Sequence, residues 1–429
     1  MRQTFVVEFF CPIFGQHEKT LYLCASKNFA DRRKMIRDIW FSIPLWLQAV
    51  SLGLVFVWLI QLILILCVRM RPLWQARRDR LGKVRTADAL PSISVVVYAH
   101  NQAESLQDNL PRLMACDYPD FEVIVVDDGS SDETEDVLMQ MDQRYSYFFH
   151  TTMADRVSTV SRRKLAMLLG VKAAHNDVVL MTQAQCVPKS SAWLRSIGRL
   201  FADGVDAVIG PVVFEDHLGL VNRFCQWDLF DRVLSSMGLT LAVKTFGGWS
   251  SNMAFRKEVF FANKNYAIQH HLDLQPGEDD LFLTDITRGK NVTVACSADA
   301  VVVNRQSHVG YVWKQERRRR AFTERYTFVL PRLVKHLDSL TRWLVVASSL
   351  VVAVAAGLMM LWWVMGAALL LLVLHALCYV LVPYNVAKML DVHRHRISPL
   401  VCSLLTPLVN IYFRIKSRII SKQFYVGRI

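Results

Sequence analysis

The stretch Asp177-Val178-Val179-Leu180-Met181-Thr182-Gln183-Ala184-Gln185-Cys186 decides how the chain is read. Val178 to Met181 is an unbroken apolar run, the pattern of a strand buried on both faces of a parallel sheet. It ends in a polar tip, Thr182 to Gln185. Open α/β sheets bind ligands beyond the carboxyl ends of their strands, so a polar tip there marks a candidate site.

The flanking segments alternate in period. Ile93 to Ala99 reads as a strand, and Glu104 to Cys116 as a helix with Leu106, Leu110 and Leu113 on one face. Glu122 to Val126 is the next strand and runs into Asp127-Asp128-Gly129-Ser130. Ser130 and Glu133 have the spacing of a capping box for a helix through Met141. Tyr147 to His150 reads as a strand and Val160 to Ala174 as a helix. Past Pro188, Ala192 to Phe201 is predicted helical, Ala207 to Phe214 a single strand, and His217 to Met237 a long amphipathic stretch. Gly247-Gly248-Trp249-Ser250-Ser251-Asn252 is a Gly-rich loop before Met253-Ala254-Phe255. A helical segment from Glu278-Asp279-Asp280 to Arg288 and a strand from Val292 to Cys296 follow. Strands and helices joined by short links predict an α/β domain with a mainly parallel sheet.

Hydropathy and charge place this domain at a membrane. The chain has 429 residues, 53% of them hydrophobic, and a formal charge of +13. Its Lys and Arg cluster beside apolar runs, which fits positive-inside topology and anionic lipid better than nucleic acid. Ile39 to Val68 holds no charged residue, and Leu45 to Cys67 is long enough to cross a bilayer. Arg69, Arg71, Arg77, Arg78, Arg80, Lys83 and Arg85 follow and predict a cytoplasmic position for the next domain. Trp343 to Val382 contains no Asp, Glu, Lys or Arg and suits a two-helix hairpin turning near Gly357 to Gly366. The segment Ile397 to Ile415, broken by Pro399 and Pro407, is expected at the interface, a further span being the alternative. Nine cysteines without a C-x-x-C pair suggest reduced thiols and no zinc site. The expected organisation is a tail over 1–38, with Met35 a candidate start, a transmembrane helix in 39–68 and a basic linker over 69–89. The α/β domain over 90–325, a transmembrane hairpin over 343–382 and a basic tail with an interfacial helix over 383–429 complete it.

Several clusters have residue types suited to chemistry. Asp127 and Asp128 at a strand end can accept hydrogen bonds from a base or ribose, although Asp-Asp-Gly-Ser alone is also ordinary turn chemistry. Arg162-Arg163-Lys164 on a helix can neutralise phosphate, or form a solvated basic face. Glu278-Asp279-Asp280 crowds three carboxylates, which suits a general base and equally a helix N-terminus. Gln315-Glu316-Arg317-Arg318-Arg319 reads as a phosphate-facing helix or a basic patch on lipid headgroups.

Taken together, these motifs resemble a membrane-bound family 2 glycosyltransferase of the GT-A fold, the group that includes cellulose, chitin and hyaluronan synthases. The resemblance runs from about Ser92 to Phe322. It implies an α/β GT-A domain carried by one N-terminal and two C-terminal transmembrane helices. It also implies inverting transfer of a sugar from a UDP-sugar to a lipid-linked or growing glycan at the cytoplasmic face of the cell membrane. By the resemblance, Asp127 and Asp128 contact the nucleotide, and Asn101 keeps its place after the first strand while Gln102 stands where Glu is usual. Arg163 and Lys164, Gln315 and Arg318 face the diphosphate, and Trp249 and Asn252 lie beside the sugar and acceptor. Asp279 is the expected base, with Asp280 the alternative. In Gln-X-X-Arg-Trp, Arg319 stands where Trp is expected, which weakens the case for processive synthesis.

The stretch quoted first departs most. The family's Asp-X-Asp there holds Mg²⁺ or Mn²⁺ against the donor diphosphate, and here both carboxylates are amides, Gln183 and Gln185. A Gln carbonyl is a neutral and weaker ligand for a hard cation. Three readings stay open: a cation held by Asp127 or Asp128 and water, cation-free catalysis with Arg and Lys carrying the charge, or binding without turnover. Under the last, the chain is a partner subunit or scaffold that binds nucleotide or glycan.

Overall fold

The structure is a computed structural model and describes residues 43–153, 161–262, 280–287, 291–306, 309–393 and 398–419. The 1–38 tail, Met35, Glu278 and Asp279 lie outside the described residues. The described residues fall into two compact units, those within Met1–Leu59 and Leu344–Val373, and those within Ile60–Trp343 and Leu374–Ile429.

In the first unit, Leu47 and Leu54 pack with Val345, Val352, Ala356 and Val364, and the Trp58 indole donates to the Leu371 carbonyl at 3.2 Å. Among the described residues, three stretches of helix are long and apolar enough to cross a membrane: Leu45–Arg80, Val329–Leu358 and Trp362–Met389. Helix α1 (Leu45–Leu64) passes into a π-helical turn, Ile65–Arg69, and then α2 (Arg71–Arg80).

The second unit is built on a seven-stranded sheet of order β3-β2-β1-β4-β8-β6-β9. Strands β1 (Ile93–Ala99), β2 (Phe121–Asp127), β3 (Phe148–Thr152) and β4 (Val178–Gln183) are mutually parallel. Strand β8 (Met253–Arg256) runs antiparallel between β4 and β6 (Ala207–Ile209), and β9 (Val292–Val294) closes the far edge parallel to β6. Apolar residues alternate between two cores. Val95, Val97, Val123 and Leu180 pack with Leu106, Leu110 and Leu113 of α3 (Ala103–Met114). Val96, Ile124, Val126 and Val179 pack with Ala166 and Met167 of α5 (Arg162–Ala173) on the other face. Burial on both faces is why these strands are near-continuous apolar runs.

Two local expectations are corrected. Ser130 and Glu133 do not form a capping box. Helix α4 (Thr134–Arg144) begins where Asp132 accepts the Thr134 amide at 3.2 Å and its hydroxyl at 2.6 Å. Ser130 is drawn instead to the Asp127 carboxylate, to which its amide and hydroxyl both donate. The single strand expected over Ala207 to Phe214 is two. β6 stops at Ile209, and β7 (Val212–Phe214) joins a second, three-stranded sheet of order β5-β10-β7 with β5 (Cys186–Pro188) and β10 (Val302–Asn304). The break is Gly210-Pro211. A Cβ on Gly210 would overlap the Asn252 side chain, and Pro211 has no amide hydrogen for a ladder.

A buried ionic cluster lies at the base of this unit. Arg69 donates to Asp231 at 2.8 Å and Asp338 at 3.2 Å, and Arg342 donates to Asp338 at 2.7 Å. Gln61 and Tyr379 complete the ring around Asp338 at 2.9 and 3.1 Å. Two guanidiniums against two carboxylates satisfy the rule that buried charge must be paired.

Candidate active site

Register puts the site together. Tyr98 of β1 pairs with Gln183 of β4, and Ala99 pairs with Asp127 of β2, so three strand ends lie side by side. Asn101 follows with φ of 50°, a conformation Asn tolerates better than most residues. Its amide donates to the Ser130 hydroxyl at 2.8 Å, and its side-chain oxygen accepts the Ser131 amide at 2.8 Å. Asn101 therefore stitches the β1 and β2 tips together. Asp128 is held by the Tyr98 hydroxyl at 2.7 Å and by Arg162, which also donates to the Asp128 carbonyl at 3.0 Å. Burial, with the bond to Asp128, pushes the Tyr98 phenol well above its ordinary range. The Arg163 guanidinium lies 5.0 Å from the Tyr98 ring centroid.

At the tip of β4 the two amides serve each other. The Gln185 side-chain amide donates to the Gln183 oxygen at 2.7 Å, and Gln183 donates onward to the Ser250 hydroxyl at 2.9 Å. Two carboxylates in those places would repel one another and need a cation or a proton between them.

Opposite this tip, helix α10 (Val309–Thr323) lies against α7 (Leu220–Ala242). Their charges form one alternating chain. Arg317 donates to the fully buried Asp228 at 3.0 Å, and Asp228 also accepts from Arg232 at 3.1 Å and from the Trp313 indole at 2.6 Å. Arg232 and Arg320 each donate to Glu316 at 3.0 Å, and the Trp249 indole donates there at 3.2 Å. Arg320 reaches on to Asp280 at 2.8 Å and to the Gly248 carbonyl at 2.8 Å, with its guanidinium 4.3 Å from the Trp249 ring centroid. Burial alone would raise the Glu316 carboxyl, but Arg232 and Arg320 outweigh it and hold it at about 2. Asp280 opens helix α9 (Asp280–Thr287). Gly247 is needed beside it: its φ is +73°, and a Cβ there would sit 2.6 Å from Asp280 Oδ1.

These groups enclose a cavity of about 490 Å³ whose lining includes Arg163, Gln183, Gln185, Trp249, Asp280 and Gln315. The cavity lies within the range typical of small-molecule sites. It therefore gathers six of the residues expected from sequence. Asp127, Asp128 and Asn101 are at the neighbouring strand tips and do not line it. Lys164 is buried at 4% exposure, and Arg318, half-buried, is not in the lining. Asn252 is fully buried and does not reach the cavity. Its amide donates to the Pro211 and Ala300 carbonyls at 2.9 and 2.8 Å, and its oxygen accepts the Trp193 indole at 3.1 Å. Arg319 and Arg320 line the wall where Arg318 was expected. Arg320 and Glu316, given no role of their own from sequence, are four apart on α10, a spacing that pairs side chains on one helix face.

Among the described residues, the donors at the β4 tip do not fit a divalent cation. The tip that would hold it offers two neutral amides already engaged with each other and with Ser250. The nearby carboxylates are engaged by Ser130, Arg162, Tyr98 and Arg320. Among the described residues no group of three or more His, Cys, Asp or Glu is placed to hold a metal ion.

Residues 94–261 match the family model described as Glycosyl transferase family 2. That stretch thus carries a glycosyl transferase family 2 domain, and the fold around it is α/β with a mainly parallel sheet. Among relatives, the glycosyltransferase AglE of Haloferax volcanii is 27% identical over 127 residues, 29% of this chain and 40% of that protein. The poly-beta-1,6-N-acetyl-D-glucosamine synthase of Staphylococcus aureus (strain COL) is 26% identical over 165 residues, 38% of this chain and 39% of that protein. The chain spans less than half the length of these two curated relatives. Among solved structures, the mannosyltransferase PcManGT of Pyrobaculum calidifontis, in complex with GDP-Man and Mn²⁺, has a TM-score of 0.49 and 17% identity. That match covers 87% of this chain and 99% of that one.

Proposed function

We propose that the chain is a membrane-anchored, inverting glycosyltransferase that moves a sugar from a UDP-sugar to a lipid-linked or growing glycan at the cytoplasmic membrane face. The observation that carries this reading is the cavity at the β4 tip, where a basic wall, Trp249 and Asp280 meet. In the transfer, a carboxylate of the Glu278-Asp279-Asp280 run takes the proton of the acceptor hydroxyl, Asp279 being the expected base. The hydroxyl oxygen bonds to the anomeric carbon from the face opposite the leaving group. The anomeric C–O bond breaks, and UDP departs with the electron pair. Asp280 itself is tied to Arg320 and receives the Thr323 hydroxyl at 3.3 Å, which suits it to hold the helix start beside the base. Trp249, Asp280 and Arg320 also line a second, narrower cavity extending to Lys335, Asp338 and Asn410, which offers an acceptor approach from the side of the apolar helices. The basic run from Arg69 to Arg85 supports the cytoplasmic placement.

The test is release of UDP from a panel of UDP-sugars by detergent-purified full chain with an acceptor-containing membrane extract. Turnover supports the reading. Its absence with UDP binding retained supports a second reading, a partner or scaffold that binds nucleotide or glycan, alone or in an oligomer. The amides at positions 183 and 185 favour that second reading.

A further inference from the structure

We propose that the cavity takes up a nucleoside diphosphate without a divalent cation, guanidiniums of the wall, Arg319 and Arg163, facing the diphosphate in the cation's place. This rests on the donor reading above and adds to it how the phosphate charge is met.

Charge count is the first argument. Among the described residues, the lining carries three guanidiniums, Arg163, Arg319 and Arg320, and two carboxylates, Asp280 and Glu316. Carboxylates at 183 and 185 would add two negative charges to that lining. A multiply anionic diphosphate would then need a cation to approach. Amides leave those two negative charges out of its path. Asp280 is paired with Arg320, and Glu316 with Arg320 and Arg232.

Donor geometry is the second argument. Gln183 accepts from Gln185 and donates to Ser250, so the tip is complete as a hydrogen-bonded amide chain. A hard cation would have to break that chain to gain neutral ligands. Guanidinium, by contrast, meets phosphate oxygens with two parallel N–H donors and keeps its charge at any working pH. Arg319 is exposed on the wall, and Gln315, one turn earlier on α10, lines the same cavity. As UDP leaves, negative charge grows on its terminal phosphate, where fixed guanidiniums are most effective.

The experiment is calorimetric titration of UDP into detergent-purified full chain with Mg²⁺, with Mn²⁺ and with EDTA. The expected wild-type affinity is the same in all three to within about twofold. Arg319→Ala weakens UDP about tenfold or more with or without metal, as loss of a charge-assisted contact does, and Arg319→Lys restores part of it. Arg163→Ala acts in the same direction. Gln183→Asp with Gln185→Asp makes binding respond to Mn²⁺, tighter with it and weaker in EDTA by about tenfold. Wild-type binding that disappears in EDTA overturns the proposal while leaving the donor reading intact. So does an Arg319→Ala protein that binds UDP as the wild type does. No UDP binding in any buffer, by protein with an unchanged melting transition, overturns the donor reading and this proposal with it.

Discussion

Arg320 bridges from Glu316 on its own helix to Asp280 on another, 3.0 and 2.8 Å away, so one guanidinium holds two carboxylates at the cavity wall. Its removal leaves both without their shared partner, Glu316 retaining Arg232. Arg320→Ala should destabilise the protein by about 3–5 kcal/mol, the range for breaking a buried ion pair, read from denaturant unfolding in detergent. Arg320→Lys keeps the charge but loses the fork and should recover only part. Equal stability of the alanine variant and wild type would mean that the pairing is idle.

Glu316 gives the protein an acid limb with a defined sign. Its folded carboxyl is held at about 2, below the ordinary 4.5. A carboxylate depressed by folding stabilises the native state above its unfolded pKa, and that stability is lost as protons are taken up. Stability should therefore fall as pH drops from about 4.5 toward 2, and Glu316→Gln should flatten that slope. Melting temperature against pH for the two proteins, with parallel curves, would rule the effect out.

Asn252 is expected to matter for folding more than for chemistry. Asn252→Ala strands two buried carbonyls and the Trp193 indole, and should cost about 2–4 kcal/mol. Gly210→Ala should mimic it, since its new methyl meets the same side chain. A Gly210→Ala protein as stable as wild type would show that Asn252 yields easily.

Asp279 and Asp280 should separate by what they change. Asp279→Asn should lower kcat by about a hundredfold or more if it is the base, with UDP affinity unchanged. Asp280→Asn should instead lower stability through its partner Arg320. An Asp279→Asn protein with unaltered turnover would remove Asp279 from the chemistry.

Asp338 is the hub of the buried cluster with Arg69, Arg342, Gln61 and Tyr379. Asp338→Asn should reduce stability by about 3 kcal/mol, because Arg342 loses its carboxylate while Arg69 keeps Asp231. Unfolding in detergent micelles would measure it, and a neutral outcome would place water in the cluster.

Much of this site was legible in sequence because parallel strands announce themselves. The run Val178–Met181 is apolar throughout and Ile93–Ala99 is broken only by Ser94, so their ends, at Gln183 and Ala99, could be located from spacing alone. Pairing across the sheet was not legible. Nothing local says that Arg162, and not its neighbours Arg163 and Lys164, reaches Asp128, since one residue turns a helix by about 100°. Arg318 was favoured by motif register, whereas packing of α10 on α7 puts Arg317 on Asp228 and brings Arg319 and Arg320 to the cavity. The break at Gly210-Pro211 was visible as residues but not as a change of sheet, because its cause is Asn252, far along the chain.

Asn252 also sets a timetable. Its three partners, Trp193, Pro211 and Ala300, lie 59, 41 and 48 residues away, on both sides of it in the chain. The knot cannot be tied until Ala300 has emerged from the ribosome, by which time the segment Leu45–Arg80 has long been made. Contacts of such separation form late. The junction of the two sheets is thus completed near the end of synthesis of its domain, and until then both wait with open edges, the state in which a nascent chain most needs a chaperone.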